Sequence, residues 1–136
     1  MNASYLAGLF DGEGCIHINK VKSPKEKYNY SLALLINMNC EKVLYEVENN
    51  FGGHVHEPCK YGKNKKIFKW YCGGFEAENI LKLILPDLIE KKKQAELAID
   101  YFKIFGYGNR GVRRSETEKQ LQELYYIKMR MLKNEL

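Results

Sequence analysis

The chain opens with hydrophobic residues at helical spacing. Over residues 2–12, one side of a 3.6-residue helix is bulky, and we expect it to enter the core. This side comprises Tyr5, Leu6, Leu9 and Phe10. The opposite side is small or polar and comprises Ser4, Ala7, Gly8 and Asp11. Such short residues allow a second backbone to approach closely, and Gly12 and Gly14 are predicted to end the helix.

Strict alternation of hydrophobic and polar residues follows twice, which predicts an antiparallel hairpin. In residues 15–22, Ile16 and Ile18 point to one face. In residues 30–39, every second side chain points inward, beginning with Tyr30. A polar, charged turn separates the two segments. We therefore expect a hairpin with one face covered by the core and one face open.

The same succession of helix and strands then returns. Helical spacing over residues 41–51 ends at a Gly-Gly pair, and two strands are predicted near residues 54–60 and 66–72. Helical spacing over residues 77–84 is broken by Pro86. The element order is therefore α-β-β-α-β-β-α, which indicates an α+β fold.

Two more helices are predicted towards the C-terminus. One runs over residues 88–105, and the other begins at Ser115, which forms a capping box with Glu118. We expect residues 1–106 to form the core. Residues 107–136 are expected to add a basic loop and a C-terminal helix packed on that core, within a single domain.

The composition is that of an ordinary globular domain: 136 residues, 45% hydrophobic and 29% charged. The net charge of +5 permits a nucleic-acid partner without requiring one. Apolar runs are only a few residues long, so no membrane partner is expected. The first residues lack a basic lead and a long apolar stretch, and the four cysteines form no CxxC pair. These features predict an intracellular protein with reduced thiols, and not a secreted one.

Two acids, each followed by a glycine, end the segment LAGLFDGEG at residues 6–14. This segment resembles the LAGLIDADG motif of homing endonucleases, and seven of its nine positions match as closely as family members usually match one another. A second stretch, LPDLIEKKKQAELAI, is similar to the family's segment after the last core helix. The resemblance extends from residue 3 to about residue 105. It implies an α+β fold with a four-stranded antiparallel, saddle-like sheet, helices on one face, and further C-terminal helices.

The resemblance also implies the chemistry of the site. Glu13 is expected to be catalytic and to bind a metal ion, with the Gly12 carbonyl assisting. Mg²⁺ is the expected ion, because hard oxygen ligands suit it, and Mn²⁺ or Ca²⁺ could replace it. Lys91 matches a family position whose basic side chain approaches the active site, so it is the second catalytic candidate. The alternative for Lys91 is a solvated lysine run at the start of a helix.

The motif occurs once, since no later segment resembles residues 6–14. In the family the motif helix packs against a second copy of itself, so a single motif implies a homodimer with a palindromic or pseudo-palindromic target. The predicted interface is the small side of the helix: Ser4, Ala7, Gly8 and Asp11. Asp11 is interpreted as a capping or interface residue and not as a metal ligand.

The open face of the predicted sheet carries side chains that can read base edges in a major groove. We assign to it His17, Asn19, Ser31, Asn37, His56, Lys69 and Tyr71. Basic residues in turns and in the late loop are expected to contact phosphates, although each could also be a solubilising charge. They are Lys60, Lys65, Lys66, Arg113 and Arg114. The family also places a water-positioning residue near the end of the second strand, for which Asn37, Met38 and Asn39 are candidates.

These features favour a Mg²⁺-dependent, site-specific double-stranded DNA homing endonuclease that hydrolyses phosphodiester bonds as a homodimer. The resemblance implies a protein of mobile introns, or one free-standing in phage or organellar genomes, acting in the cytoplasm, a phage-infected cell or an organelle matrix. The alternatives are a non-cleaving binder, namely an intron RNA maturase or a DNA-binding regulator, and a basic dimerisation module. Glu13 favours cleavage, since a pure binder needs no acid there. Neither a small-molecule substrate nor a zinc site at His54, His56 and Cys59 is expected.

Overall fold

Five helices and four strands make up the part of the chain that the computed structural model describes, residues 1–25, 27–57, 66–106 and 113–134. The elements are α1 (Ala3–Glu13), β1 (Gly14–Lys22), β2 (Tyr28–Met38), α2 (Glu41–Phe51), β3 (His54–His56), β4 (Phe68–Gly73), α3 (Gly74–Ile84), α4 (Lys92–Phe105) and α5 (Glu116–Leu132). A 3₁₀ turn, Leu85–Asp87, lies between α3 and α4. The predicted order of elements is confirmed.

The four strands form one antiparallel sheet in the order β1-β2-β4-β3. In the register, Gly14 pairs with Ile36, which in turn pairs with Trp70 of β4. The apolar side chains of one sheet face pack with buried residues of α1, α2, α3 and α4 in a single core, around the fully buried Trp70. The predicted α+β fold with helices on one face of the sheet is therefore confirmed.

The other sheet face, which we call the open face, carries mainly polar side chains from all four strands. It includes Cys15, His17, Asn19, Ser31, Leu35, Asn37, His54, His56, Lys69 and Tyr71. The cross-strand pairs join these side chains into rows, for example Asn37, Lys69 and His56. The alternation predicted for the two segments at residues 15–22 and 30–39 holds in the strand register, but Ala33, predicted to face outward, is buried like Leu32 and Leu34.

The predicted division of α1 into two sides is partly wrong. Leu6, Ala7 and Phe10 are fully buried, whereas Tyr5 is 53% exposed. At 100° per residue, Ala7 lies only 60° from Phe10 on the helix, while Tyr5 lies 100° from Leu6 and on the solvent side. Ala7 therefore belongs to the chain's own core. Its side chain is not available to the dimer interface that was predicted for it.

The helix predicted over residues 88–105 begins only at Lys92. Pro86 lies in the 3₁₀ turn, and the backbone at Leu88 is extended. Proline has no N–H to donate to a helical hydrogen bond, and the extended backbone at Leu88 then separates α3 from α4. The segment between Asp87 and Lys92 is instead free to bond to α1, as described below.

α5 begins at the predicted capping box and packs along β1, the edge strand of the sheet. Ser115 Oγ accepts from the Glu118 N–H, and the Glu118 carboxylate accepts from the Ser115 N–H, both at 3.2 Å. Further along α5, Met129 is 2% exposed and joins the core. The last helix thus extends the core past the edge of the sheet.

A polar cluster also fixes α5 to the hairpin. Glu123 accepts hydrogen bonds from Lys20, at 2.9 Å, and from the Tyr30 hydroxyl. Burial, and then the bond to Glu123, raise the pKa of Tyr30. Burial alone would raise the pKa of Glu123, but the bonds from Lys20 and Tyr30 lower it below its ordinary value of 4.5. Glu123 is therefore stabilised in its ionised form.

Candidate active site and nucleic-acid interface

The exposed carboxylate of Glu13 lies where α1 passes directly into β1. The junction is tight, because a side chain at Gly14 would overlap the ring of Phe10. The Gly14 N–H donates to the Phe10 carbonyl and closes the last turn of α1. The last carbonyls of a helix, including that of Gly12, have no partner within the helix. The junction thus brings the Glu13 carboxylate and the carbonyl end of α1 to one end of the sheet.

Asp11 has a different role, which the hydrogen bonds make explicit. One of its carboxylate oxygens accepts from the Ile89 N–H at 2.9 Å, and the other accepts from the Lys91 N–H at 3.0 Å. Asp11 therefore holds the segment before α4 against the end of α1. Both carboxylate oxygens thus bind the chain's own backbone, as expected of a capping residue.

Lys91 is distinguished from the other lysines at the start of α4 by its contact with α1. Its Nζ donates to the Asp11 carbonyl at 2.6 Å, and the side chain is partly buried, whereas Lys92 and Lys93 are exposed. A cation is favourable at this position because the carbonyl end of a helix carries partial negative charge. The Lys91 ammonium group therefore contacts the carbonyl of Asp11, which lies two positions before Glu13 in the sequence. The structure thus brings the two catalytic candidates to the same end of α1.

The strand register separates the three candidates for a water-positioning residue. Gly14 pairs with Ile36, so Asn37 lies one residue further, at the end of the sheet where α1 places Glu13. Asn37 is exposed on the open face beside Lys69. Met38 is partly buried and packs against the core, and Asn39 lies after the strand. Asn37 therefore has the most suitable position of the three.

The side chains predicted to read bases all lie on the open face. Ser31, Asn37, His56, Lys69 and Tyr71 are exposed, and His17 and Asn19 are half-buried. Asn19 pairs with Ser31, and Tyr71 lies in a row with His54. The rings of His56 and Tyr71 are 6.4 Å apart, and those of His54 and His56 are 4.9 Å apart. This aromatic and polar surface is continuous across the four strands.

The basic residues that were predicted to contact phosphates differ in their positions and exposure. Lys60 and Lys65 lie outside the described residues, while Lys66 and Arg113 are exposed. The Arg114 side chain instead points towards other residues of the protein. Its guanidinium donates to the Phe105 carbonyl at 2.6 Å and to Glu118 at 3.0 Å, and it packs over the Phe105 ring. Its interactions join the end of α4 to the start of α5, so the structure does not support the predicted phosphate contact.

Two residues of this region were missed by the sequence analysis. Ile89 is 88% exposed, although its N–H bonds to Asp11 at the end of α1. Lys133, after α5, reaches His17 and Cys15 on the open face. Neither follows from spacing, because Ile89 lies in an irregular segment and Lys133 is far from the strand in sequence. The position of Ile89 becomes apparent only from its bond to α1, and that of Lys133 only from the packing of α5.

The donor groups at Glu13 fit a hard divalent ion only in part. Among the described residues, no group of three or more histidine, cysteine and acidic side chains could hold a metal ion. One carboxylate with the Gly12 carbonyl is a small set of oxygen ligands. Mg²⁺ keeps several waters and accepts few protein ligands, so these donors suit it better than they suit zinc. A second carboxylate would complete the set.

Sequence comparison identifies the family of proteins that have this fold and motif. The sequence model of the LAGLIDADG endonucleases matches residues 6–105. Since this match covers most of the chain, the protein belongs to the LAGLIDADG endonuclease family. No functionally curated protein matches the sequence.

Solved structures with this fold include DNA complexes. The homing endonuclease I-CvuI in complex with its target, in the presence of 2 mM Ca, is 23% identical with a TM-score of 0.76, and the match covers 96% of this chain and 80% of that one. I-CvuI with the I-CreI target and 2 mM Mg, in which the DNA is not cleaved, gives the same identity and coverage and a TM-score of 0.77. The meganuclease I-SmaMI, bound to uncleaveable DNA, is 16% identical with a TM-score of 0.68. That match covers 98% of this chain and 44% of I-SmaMI.

No helix among the described residues is both long enough and apolar enough to cross a membrane.

Proposed function

We propose that the protein is a site-specific homing endonuclease that hydrolyses phosphodiester bonds of double-stranded DNA, as a homodimer and with a divalent metal ion. The carrying observation is the junction of α1 and β1. There the exposed Glu13 ends α1, and Asp11 binds Lys91 at the same end of this helix. Such an arrangement offers an acid, a cation and a surface for DNA in one place. Its substrate is DNA within the cell.

The homodimer is supported by the exposed side of α1. Ser4, Tyr5, Gly8 and Gly12 are exposed, and a Cβ added at Gly8 would meet nothing within 4 Å. Ile89 adds an exposed apolar side chain beside the end of α1. The motif is present once in the sequence. A second copy related by a two-fold axis would bury this side and supply a second site.

The dimer would also bring two copies of Glu13 together. Two carboxylates with the Gly12 carbonyls make a set of hard oxygen ligands that suits Mg²⁺, which Mn²⁺ or Ca²⁺ could replace. A divalent ion bound there supplies Lewis-acid chemistry that neutralises phosphate charge and eases ionisation of the attacking water. Lys91 would stabilise the negative charge that develops on the phosphate, since its ammonium group is already fixed at the end of α1. Asn37 would orient water at the same end of the sheet.

The open face would lie in the major groove of the target. His17, Asn19, Ser31, Asn37, His56, Lys69 and Tyr71 would contact bases, and Lys66 and Arg113 would contact phosphates. The proposed contacts to bases would give sequence specificity. The phosphate contacts would give affinity that decreases as the salt concentration rises. A dimer would read two related half-sites.

The test is cleavage of a randomised duplex library with Mg²⁺, followed by sequencing of the cut ends. We expect staggered cuts in a palindromic or pseudo-palindromic consensus. Glu13→Gln should reduce the rate at least about 100-fold, as loss of a metal ligand or charge stabiliser typically does. Glu96→Gln, which removes an exposed acid of α4, is the matched control and should cut normally.

A protein that binds duplex DNA but leaves it intact, with or without Glu13, would exclude this proposal. That result would favour the non-cleaving binder. The maturase is the less favoured function, because the matching family model describes an endonuclease.

A further inference from the structure

One row of side chains on the open face is apolar at its centre. The strand register places Leu35 of β2 between Cys15 of β1 and Tyr71 of β4. Tyr71 in turn lies opposite His54 of β3. The two ends of the row therefore carry a thiol and an imidazole, whereas its two inner members are a leucine and an aromatic ring. We call Leu35 and Tyr71 the apolar pair.

The Leu35 side chain is not used to build the interior of the protein. It is half-buried, yet it belongs neither to the core of the described residues nor to the partly buried apolar side chains that pack against that core. Tyr71 is 39% exposed. Removing water from exposed apolar surface is favourable, and here it happens only when a partner covers the open face. The apolar pair is therefore available for an external contact.

The neighbouring row of the open face has a different chemistry. It comprises Asn37, Lys69 and His56, and it lies two residues from the apolar pair, about 7 Å along the strands. Amide, ammonium and imidazole groups can form hydrogen bonds with base edges. The apolar pair lacks such groups except for the Tyr71 hydroxyl. The open face thus separates a hydrogen-bonding row from an apolar one.

One base alone presents an apolar group in the major groove, namely thymine with its C5 methyl group. Guanine, adenine and cytosine present hydrogen-bond donors and acceptors there. A donor or acceptor placed against the Leu35 side chain would lose its water without gaining a partner, which costs free energy. A methyl group at the same place loses nothing and buries apolar surface on both sides.

We propose that Leu35, together with the Tyr71 ring, is a specificity-determining residue that selects thymine in the target by packing against its C5 methyl group. This inference rests on the proposed function and adds to it a base that the target contains. In a two-fold symmetric complex, the selected thymines occupy one symmetric pair of positions. Since Cys15, which pairs with Leu35, lies two residues after Glu13, these positions should fall in the inner part of each half-site.

The first step of the test locates the thymines without requiring cleavage. The full-length wild type selects duplexes from the randomised library by binding in the absence of Mg²⁺, and the bound duplexes are sequenced. We expect thymine to be enriched at one symmetric pair of positions. The duplex with the consensus sequence is then used for all measurements of affinity.

The second step removes the methyl groups and nothing else. Uracil in place of the selected thymine keeps the base pair and the O4 acceptor, but it lacks the C5 methyl group. Affinity should fall about fourfold when one half-site is changed and about 15-fold when both are changed, as loss of one buried methyl-sized group at each site implies. The dependence of affinity on salt should stay the same, because the phosphate contacts are unchanged.

Three variants assign the effect to Leu35. Leu35→Ser should abolish the difference between thymine and uracil, together with the base preference at that pair of positions, while the other positions keep theirs. Leu35→Met retains an apolar side chain of similar volume and should retain both. Leu83→Ser is the matched control, because it removes an exposed leucine from α3, and it should behave as the wild type.

Equal affinity of the wild type for the thymine and uracil duplexes would overturn the inference, even if Leu35→Ser failed to fold. A consensus without thymine at any symmetric pair would overturn it too, as would a thymine–uracil difference that persists in Leu35→Ser. In these cases sequence-specific binding and cleavage would still support the proposed function. If the wild type neither binds nor cuts duplex DNA, the proposed function fails, and the selection of thymine fails with it.

Discussion

At the scale of single residues, the two acids of the motif are separated by their surroundings. Asp11 accepts two backbone N–H groups from the segment before α4, whereas Glu13 is exposed at the start of β1. Asp11 also determines where Lys91 lies, because the Lys91 ammonium returns to the Asp11 carbonyl. Removing either acid should therefore affect cleavage, but for different reasons and with different effects on stability.

Asp11→Ala should lower both stability and activity. Its loss leaves the Ile89 and Lys91 N–H groups without their acceptor, and by analogy with the loss of a helix cap the free energy of unfolding should fall by about 1 kcal/mol. The cleavage rate should fall as well, because Asp11 no longer fixes Lys91 at the end of α1. Urea denaturation and cleavage of the selected target measure the two effects. Glu13→Gln is the comparison and should leave the urea midpoint nearly unchanged; equal stability of Asp11→Ala and the wild type would contradict the argument.

At the scale of elements, α5 is fastened to the hairpin at several points. Lys119 donates to the Tyr28 carbonyl, Glu123 accepts from Lys20 and Tyr30, and Lys133 contacts His17. Side chains on both faces of β1 are involved, so α5 runs along the free edge of this strand. We therefore expect the helix to contribute to the stability of the sheet, and Lys133 also connects it to the open face.

The Glu123 cluster should make this packing sensitive to acid. Since the folded state lowers the pKa of Glu123 below 4.5, its contribution to stability is present above that value and is lost as the pH falls through the folded-state pKa. At pH 7, Glu123→Gln should unfold with about 1 kcal/mol less free energy than the wild type, because the cluster is partly exposed. The difference should shrink as the pH falls through the lowered pKa of Glu123. Urea titrations at several pH values measure it, and a constant difference would contradict the sign of the pKa shift.

The element order and the strand faces could be predicted because each depends on spacing along one segment. Alternation placed Ile16, Ile18 and the inward side of β2 correctly, and the capping box placed the start of α5. The faces of α1 were assigned less well, since Tyr5 is amphipathic and Ala7 is small enough to lie on either side. Arg114 bonds residues only four and nine positions away, whereas the position of Lys133 depends on how α5 docks. That docking brings together residues more than a hundred positions apart, and no local pattern encodes it.

At the scale of the whole molecule, α1 connects the core, the proposed interface and the proposed site. Leu6, Ala7 and Phe10 hold it in the core, and its exposed side carries Gly8 among short or polar residues. Its last turn supports Glu13 and Lys91. Dimer formation and catalysis should therefore be lost together when the exposed side of α1 is blocked, even though the single chain remains folded.

Gly8→Glu is the variant that tests this connection. A Cβ at Gly8 meets nothing within 4 Å, and glutamate favours helix more than glycine does, so the chain should fold with unchanged or higher stability. Two carboxylates facing each other across the two-fold axis should convert the dimer to monomer and abolish cleavage. Sedimentation equilibrium measures the mass. Asn49→Glu, at an exposed position of α2, is the control; a Gly8→Glu dimer of wild-type strength would place the interface elsewhere.

The position of α5 along β1 also protects the protein when no DNA is bound. The edge strand of a sheet offers unpaired backbone groups that can recruit strands of other molecules and lead to aggregation. A protein that must keep a broad sheet surface accessible to its target is especially exposed to that risk. Because α5 packs against β1, we expect it to hinder strand addition at this edge while leaving the open face accessible.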